Sequence, residues 1–139
     1  MTDAQISVQQ MKELILAFCE VRNWRTNSHP KDLAISISLE ANELLEHFQW
    51  GISHTPEMIK KDKIELSRIT HELADIFVYA ILFADRLDID LTTAIRNKLH
   101  LNEKKYPEKL FKAKKVSLKQ YKKIKQVFRA KERSLNREL

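Results

Sequence analysis

Glycine is nearly missing from this chain: Gly51 is the single one in 139 residues. That scarcity excludes glycine-rich phosphate loops and the dinucleotide fingerprint, which need several glycines in close succession. It also speaks against sheet-rich folds, whose tight hairpins draw on glycine repeatedly. The lone cysteine, Cys19, permits no internal disulfide and no cysteine-rich zinc site. The longest apolar run, Ile76 to Ala84, is nine residues and falls far short of a bilayer. The first ten residues are polar and show no signal-peptide core. A reducing, cytoplasmic setting without a membrane partner is therefore expected. What is plentiful is 43% hydrophobic and 32% charged residues, the composition of a folded domain.

The charge is unevenly placed. Residues 1–103 hold 11 Lys/Arg against 16 Asp/Glu, a net of −5, whereas residues 104–139 hold 14 against 3, a net of +11. The body is acidic and the tail is basic. An acidic body that binds an anionic substrate needs divalent cations as a bridge.

Apolar residues recur at helical spacing through most of the chain. Val8, Met11, Ile15, Phe18 and Arg22 predict an amphipathic helix over 6–23. A polar stretch, Asn23 to Ser28, follows and contains Trp24. Ser28 is placed to cap a second helix, with Pro30 in its first turn, running to about Trp50. Gly51 then stands where a left-handed cap is wanted. Thr55-Pro56 opens a further segment, and a third helix is expected over 63–87. Asp88 or Asp90 starts a fourth, ending near Lys105 before Pro107. No period-2 alternation is long enough for a strand. The fold class is all-α, a bundle of four to five helices. Residues 1–108 make up the main domain. Residues 109–139 form a basic extension in which Leu118, Tyr121, Ile124, Phe128 and Leu135 predict one more amphipathic helix.

The carboxylates carry the chemistry. At 100° per residue, Leu33, Leu44, Ile37, Phe48, Ala41, Ala34 and Leu45 fill one arc of the second helix. Glu40 falls at its edge, Glu43 beyond it, and Glu46 further out. Two acids at i and i+3 repel unless something positive lies between them, although an isolated pair reads simply as a solvated face. The third helix argues for more. From Leu73 to Ala84 it is apolar nearly all round, with Asp75 as its only charge. Such a helix is expected to be buried, and an ionised carboxylate there needs a partner or a metal. Arg68, Glu72, Asp75 and Tyr79 form a polar stripe along it; internal Arg68–Glu72 and Asp75–Tyr79 pairing is the structural alternative. If the two helices pack side by side, Glu40, Glu43, Glu72 and Asp75 converge, and an all-oxygen cluster suits Mg²⁺ or Mn²⁺. A di-iron bundle would show Glu-x-x-His pairs, and none of the five histidines has a glutamate three residues before it. On the fourth helix Lys98, Asn102 and Lys105 share a face beside Tyr106, able to hold phosphate oxygens or simply to meet solvent.

EANE (Glu40 to Glu43) and ELAD (Glu72 to Asp75), followed by the Lys-x-x-x-Asn-x-x-Lys-Tyr-Pro run from Lys98 to Pro107, resemble the MazG-like all-α nucleoside triphosphate pyrophosphohydrolases, in particular the dCTP-pyrophosphatase-like branch. The resemblance extends to RNW at Arg22 to Trp24, FQW at Phe48 to Trp50, and Tyr79, and covers about residues 10–107. It implies Mg²⁺-dependent conversion of a (deoxy)nucleoside triphosphate to its monophosphate and pyrophosphate, with Mn²⁺ as a substitute. By resemblance, Glu40, Glu43, Glu72 and Asp75 are the metal ligands, Lys98 and Asn102 meet the phosphates with Lys105 and Tyr106 beside them, Trp24 and Trp50 line the base pocket, and Tyr79 is a further substrate-binding residue. Lys98 would also stabilise charge in the transition state. Glu43 or Glu46 would accept the proton of the attacking water. The resemblance further implies a homodimer or homotetramer. Asn42 stands in place of the usual glycine of the first motif, and Leu39 where glycine is common, which predicts an altered helix contact. The rival reading is a non-enzymatic helical module whose tail binds nucleic acid or an acidic partner. The tail can also serve as an oligomerisation helix.

Overall fold

The computed structural model describes residues 2–27, 29–50, 55–112 and 116–135. These residues form helices α1 (Val8–Glu20), α2 (Trp24–Asn27), α3 (Pro30–Glu46), α4 (Pro56–Lys61), α5 (Lys63–Arg86), α6 (Leu91–Lys105), α7 (Glu108–Lys112) and α8 (Leu118–Leu135), with no strand among them. The all-α expectation is met. Five helices are long, and α2, α4 and α7 are single-turn pieces.

Local chemistry sets the boundaries. Ser7 and Gln10 form a reciprocal capping box at the start of α1: the Ser7 hydroxyl accepts from the Gln10 amide at 3.2 Å, and the Gln10 side chain accepts from the Ser7 amide at 2.8 Å. Asn23, at φ 55°, turns the chain from α1 into α2, which replaces the expected polar loop. Asparagine tolerates this left-handed conformation better than most residues. His29 is the N-cap of α3 without a side-chain bond, and Pro30 follows in its first turn. Ser28 and Gly51, the expected caps of α3, lie outside the described residues. Asp62 caps α5, its carboxylate accepting from the Ile64 and Glu65 amides at 3.1 and 3.0 Å. Asp88, at φ 52°, closes α5 instead of opening α6. The Ile89 amide then returns to the Ala84 carbonyl at 2.9 Å.

Contacts divide the chain into two units, residues up to Asp90 and residues from Leu91. The boundary at 108 read from sequence follows charge and resemblance; the contacts group α6 with the helices after it. In the first unit α3 lies along α5, and α1 packs on α5 as well. Cys19 of α1, Leu33 of α3 and Leu82 of α5 meet in a small core, joined by Ile15, Leu16, Val78, Tyr79 and Phe83. Each aliphatic side chain fully buried there contributes about 1.5–3 kcal/mol. In the second unit α6 packs on α8, with Tyr106 stacked on Tyr121 at 5.5 Å and 9°.

Two expectations about faces need correction. The covered side of α3 runs through Leu33, Ser36, Ile37, Glu40 and Leu44, while Ala34, Ala41, Leu45 and Phe48 are exposed. The arc is rotated so that Glu40 sits within the face turned to α5. The middle of α5 is not buried all round: Leu73 and Phe77 are 45% and 60% exposed, and Asp75 is exposed too. Within one chain, α1 and α3 cover only part of its circumference. No helix among the described residues is long and apolar enough to cross a membrane.

Candidate functional site

The i, i+3 spacing places Glu40 and Glu43 side by side on α3, and the α3–α5 packing brings Glu72 to them. One carboxylate oxygen from each of the three lies within 4.8 Å of the others. Glu40 and Glu72 are half-buried and Glu43 is exposed. Burial pushes the Glu40 carboxyl above the usual glutamate range, and the charges of Glu43, Asp75 and Glu72 push it the same way. Asp75 therefore acts on the cluster without joining the tight trio. The ion pairs among the described residues leave all four acids out. Arg68 pairs with Glu65 at 3.8 Å, not with Glu72. Glu65 also binds His47 Nδ1 at 2.7 Å. The structural alternative of an Arg68–Glu72 pair is thus not what forms. The result is concentrated, uncompensated negative charge presented by hard oxygen donors, which fits Mg²⁺ or Mn²⁺. Glu46 is exposed and lies outside the trio.

Asp75 also edges a cavity of about 510 Å³ between α1, α2 and α5. Leu14, Ile15, Phe18 and Cys19 supply one wall, Trp24 another, and Val78, Tyr79 and Leu82 the third. Size and lining suit a small organic ligand: mostly apolar, with a few polar groups at one side. Trp24 meets Phe18 edge-to-face at 5.9 Å, and the Arg22 guanidinium lies 3.7 Å above the Phe18 ring. Burial raises the pKa of the Cys19 thiol, against a smaller opposite effect of Arg22, so the thiol is a neutral wall element. Asp85 anchors the arrangement. It takes Lys12 of α1 at 2.8 Å and Arg25 of α2 at 3.6 Å, tying both to α5.

Of the aromatic residues expected to bind substrate, Trp24 and Tyr79 come together here with Asp75. Trp50 does not join them; it is 83% exposed beyond the end of α3. The contribution of α1 was missed from sequence. Its signal is Leu14, which stands at i, i+4 with Phe18 and widens the Ile15–Phe18 stripe. Asp85 was also missed, although it is the first charge after the apolar run of α5.

Lys98, Asn102, Lys105 and Tyr106 lie in the second unit. Lys98 is exposed and Asn102 is half-buried. The Lys105 ammonium stands 5.5 Å from the centroids of both Tyr106 and Phe128. The hydrogen bond with Tyr121 raises the pKa of the Tyr106 phenol, burial adds to this, and Arg129 opposes it. Elsewhere on α6, Thr93, Arg96, Asn97 and His100 line a second cavity of about 360 Å³ that sequence reasoning did not anticipate. At the two departures from the motif, Leu39 and Asn42 are both exposed, and the Asn42 amide donates to the Ser38 carbonyl at 2.7 Å. α3 accommodates them without interruption.

Comparison with known proteins adds three findings. The MazG-like family pattern matches residues 35–125. Human dCTP pyrophosphatase 1 is 28% identical over 104 residues, 75% of this chain and 61% of that protein. The bovine dCTP pyrophosphatase 1 is 29% identical over 101 residues, 73% of this chain and 60% of that protein. The chain thus spans about three-fifths of the length of these relatives. The crystal structure of a pyrophosphatase from Archaeoglobus fulgidus DSM 4304 matches with a TM-score of 0.66 and 31% identity, over 78% of this chain and 99% of that one. Since the family pattern runs from α3 into α8 and takes in both acidic motifs, the chain belongs to the MazG-like family.

Proposed function

We propose that this protein hydrolyses a (deoxy)nucleoside triphosphate, dCTP or a modified deoxynucleotide among the candidates, to the monophosphate and pyrophosphate. The observation that carries the reading is the convergence of Glu40, Glu43 and Glu72 beside Asp75, with no cation from the described residues to balance them. In this reading the four carboxylates hold Mg²⁺, which supplies Lewis acidity: it neutralises triphosphate charge and acidifies water. The chain's own residues do the rest. Trp24, Tyr79 and the α1 wall take the base and sugar, and stacking on an aromatic ring is worth about 1–3 kcal/mol. Lys98, Asn102 and Lys105 hold phosphate oxygens, and Lys98 meets the charge that develops as the bond between the α- and β-phosphates breaks. Water supplies the oxygen, and its proton passes to Glu43 or Glu46. Glu46, outside the trio, keeps a carboxylate free for that role.

The active form in this reading is a homo-oligomer. Ile35 and Leu39 on α3 and Leu73 and Phe77 on α5 are each 45% exposed or more. Apolar surface of this extent on central helices calls for a cover, and a second copy of the chain provides it.

A panel of common and modified triphosphates with Mg²⁺, read as monophosphate and pyrophosphate, tests the activity. Equal release of both products is expected from at least one substrate. It should fall by about a thousandfold in Glu72→Ala and Asp75→Ala while helical circular dichroism persists. Retained release in both variants refutes the site.

A further inference from the structure

Helix α8 divides its side chains by chemistry. Tyr121, Ile124 and Phe128 lie within about 60° of one another around the helix. They are used within the second unit: Tyr121 stacks on Tyr106, Lys105 caps the Phe128 ring at 5.5 Å, and Ile124 is half-buried. Tyr106 in turn meets Phe111 edge-on at 5.8 Å. Of the apolar stripe read from sequence, Tyr121, Ile124 and Phe128 are thus engaged within the second unit, whereas Leu118 is 80% exposed. What remains for solvent is an arc of about 160° holding Lys119, Lys122, Lys123, Lys125 and Arg129, all exposed. Among the described side chains, none of these five is in an ion pair. The pairs at i, i+4 (Lys119 with Lys123, Lys125 with Arg129) repel one another. The helix is nevertheless well founded. Ser117 and Gln120 form a reciprocal cap at its start, at 2.8 and 3.3 Å.

We propose that the basic face of α8 binds the phosphate backbone of duplex nucleic acid, without reading sequence. Charge complementarity names the partner class. From Lys119 to Arg129 these cations form a row about 15 Å long, and a duplex offers one phosphate charge per about 1.7 Å of axis. Single strands are favoured less, because strand binders stack bases on free rings, and Tyr106, Phe111, Tyr121 and Phe128 are occupied with one another or with Lys105. A bilayer is favoured less as well. A surface-lying helix needs a continuous apolar face. Among the described side chains of α8, the most exposed large apolar residues, Leu118 and Val127, lie about 180° apart around the helix, and Tyr121 is stacked on Tyr106. This proposal stands apart from the hydrolase reading and survives its failure.

The test uses the full chain, a labelled duplex of about 25 base pairs and fluorescence anisotropy across a salt series. With about five phosphates neutralised, the logarithm of the binding constant should fall against that of the salt concentration with a slope of about −3 to −5. The triple reversal Lys119→Glu, Lys122→Glu, Lys123→Glu should lower affinity at least about tenfold and flatten the slope. Circular dichroism checks that it folds; the neutral pair Lys122→Gln, Lys123→Gln serves if it does not. Absence of duplex binding at low salt overturns the proposal, as does binding that a folded reversal variant keeps. Tighter binding to a single strand of equal length, or to phosphatidylserine vesicles at equal phosphate, reassigns the face and overturns it too.

Discussion

The two units gather like charges in opposite ways. In the first, α3 and α5 are packed along their lengths and force three carboxylates to within 4.8 Å, two of them half-buried. In the second, cations are spread along an exposed helical face while the aromatic side of the same helix does the packing. The first arrangement concentrates charge at a point and suits a small, highly charged ion. The second distributes charge along a line and suits an extended polyanion. One chain can hold both because its charge is segregated by sequence, −5 before residue 104 and +11 from there on.

The largest effect that would break this contrast lies in the acidic unit. Glu72→Ala should reduce pyrophosphate release by about a thousandfold, the scale of losing an electrostatic contribution to the transition state. Its helical content should hold, and a steady-state assay beside circular dichroism checks both. The next effect is on stability and pH. The folded pKa of Glu40 is raised above 4.5, so the folded state binds a proton more readily than the unfolded one. Stability from this group is therefore greatest at low pH and declines as the pH rises through the raised folded value. Thermal melts without divalent ions should show that decline, and Glu40→Gln should remove much of it. Saturating Mg²⁺ should raise the melting temperature of the wild type at neutral pH and leave Glu40→Gln nearly unmoved.

A smaller effect concerns the support of the cavity. Asp85→Ala takes one partner each from Lys12 and Arg25 and should cost about 1–2 kcal/mol in urea unfolding, since the Asp85 side chain is only 14% exposed. Trp24 fluorescence should change with it, because Arg25 follows Trp24 on α2. His47→Ala should cost least, about 0.5–1 kcal/mol, by removing the Glu65 partner that joins the end of α3 to the start of α5.

Periodicity made the long helices legible, and the prolines Pro30 and Pro107 agree with the start of α3 and the end of α6. The paired acidic motifs made the convergence of Glu40, Glu43 and Glu72 legible as well, because i, i+3 spacing fixes which acids share a face. Rotation about the helix axis was less legible. α3 carries apolar residues on several sides, so Leu45 and Ala41 competed with Ser36 and Glu40 for the covered side, and only the contact with α5 decides. Burial of Asp75 was misjudged for a related reason. An apolar circumference says that a helix wants cover, not that its own chain supplies it. The Asp85 anchor and the α1 wall depend on long-range contacts between Lys12, Arg25 and α5, which no local pattern encodes.

The most direct measurement is Mn²⁺ or Mg²⁺ binding to the purified protein by calorimetry, with a non-hydrolysable triphosphate present and absent. The account predicts saturable binding by the wild type, lost or weakened at least about tenfold in Glu72→Gln. An absence of binding under both conditions, or equal binding by that variant, would contradict it.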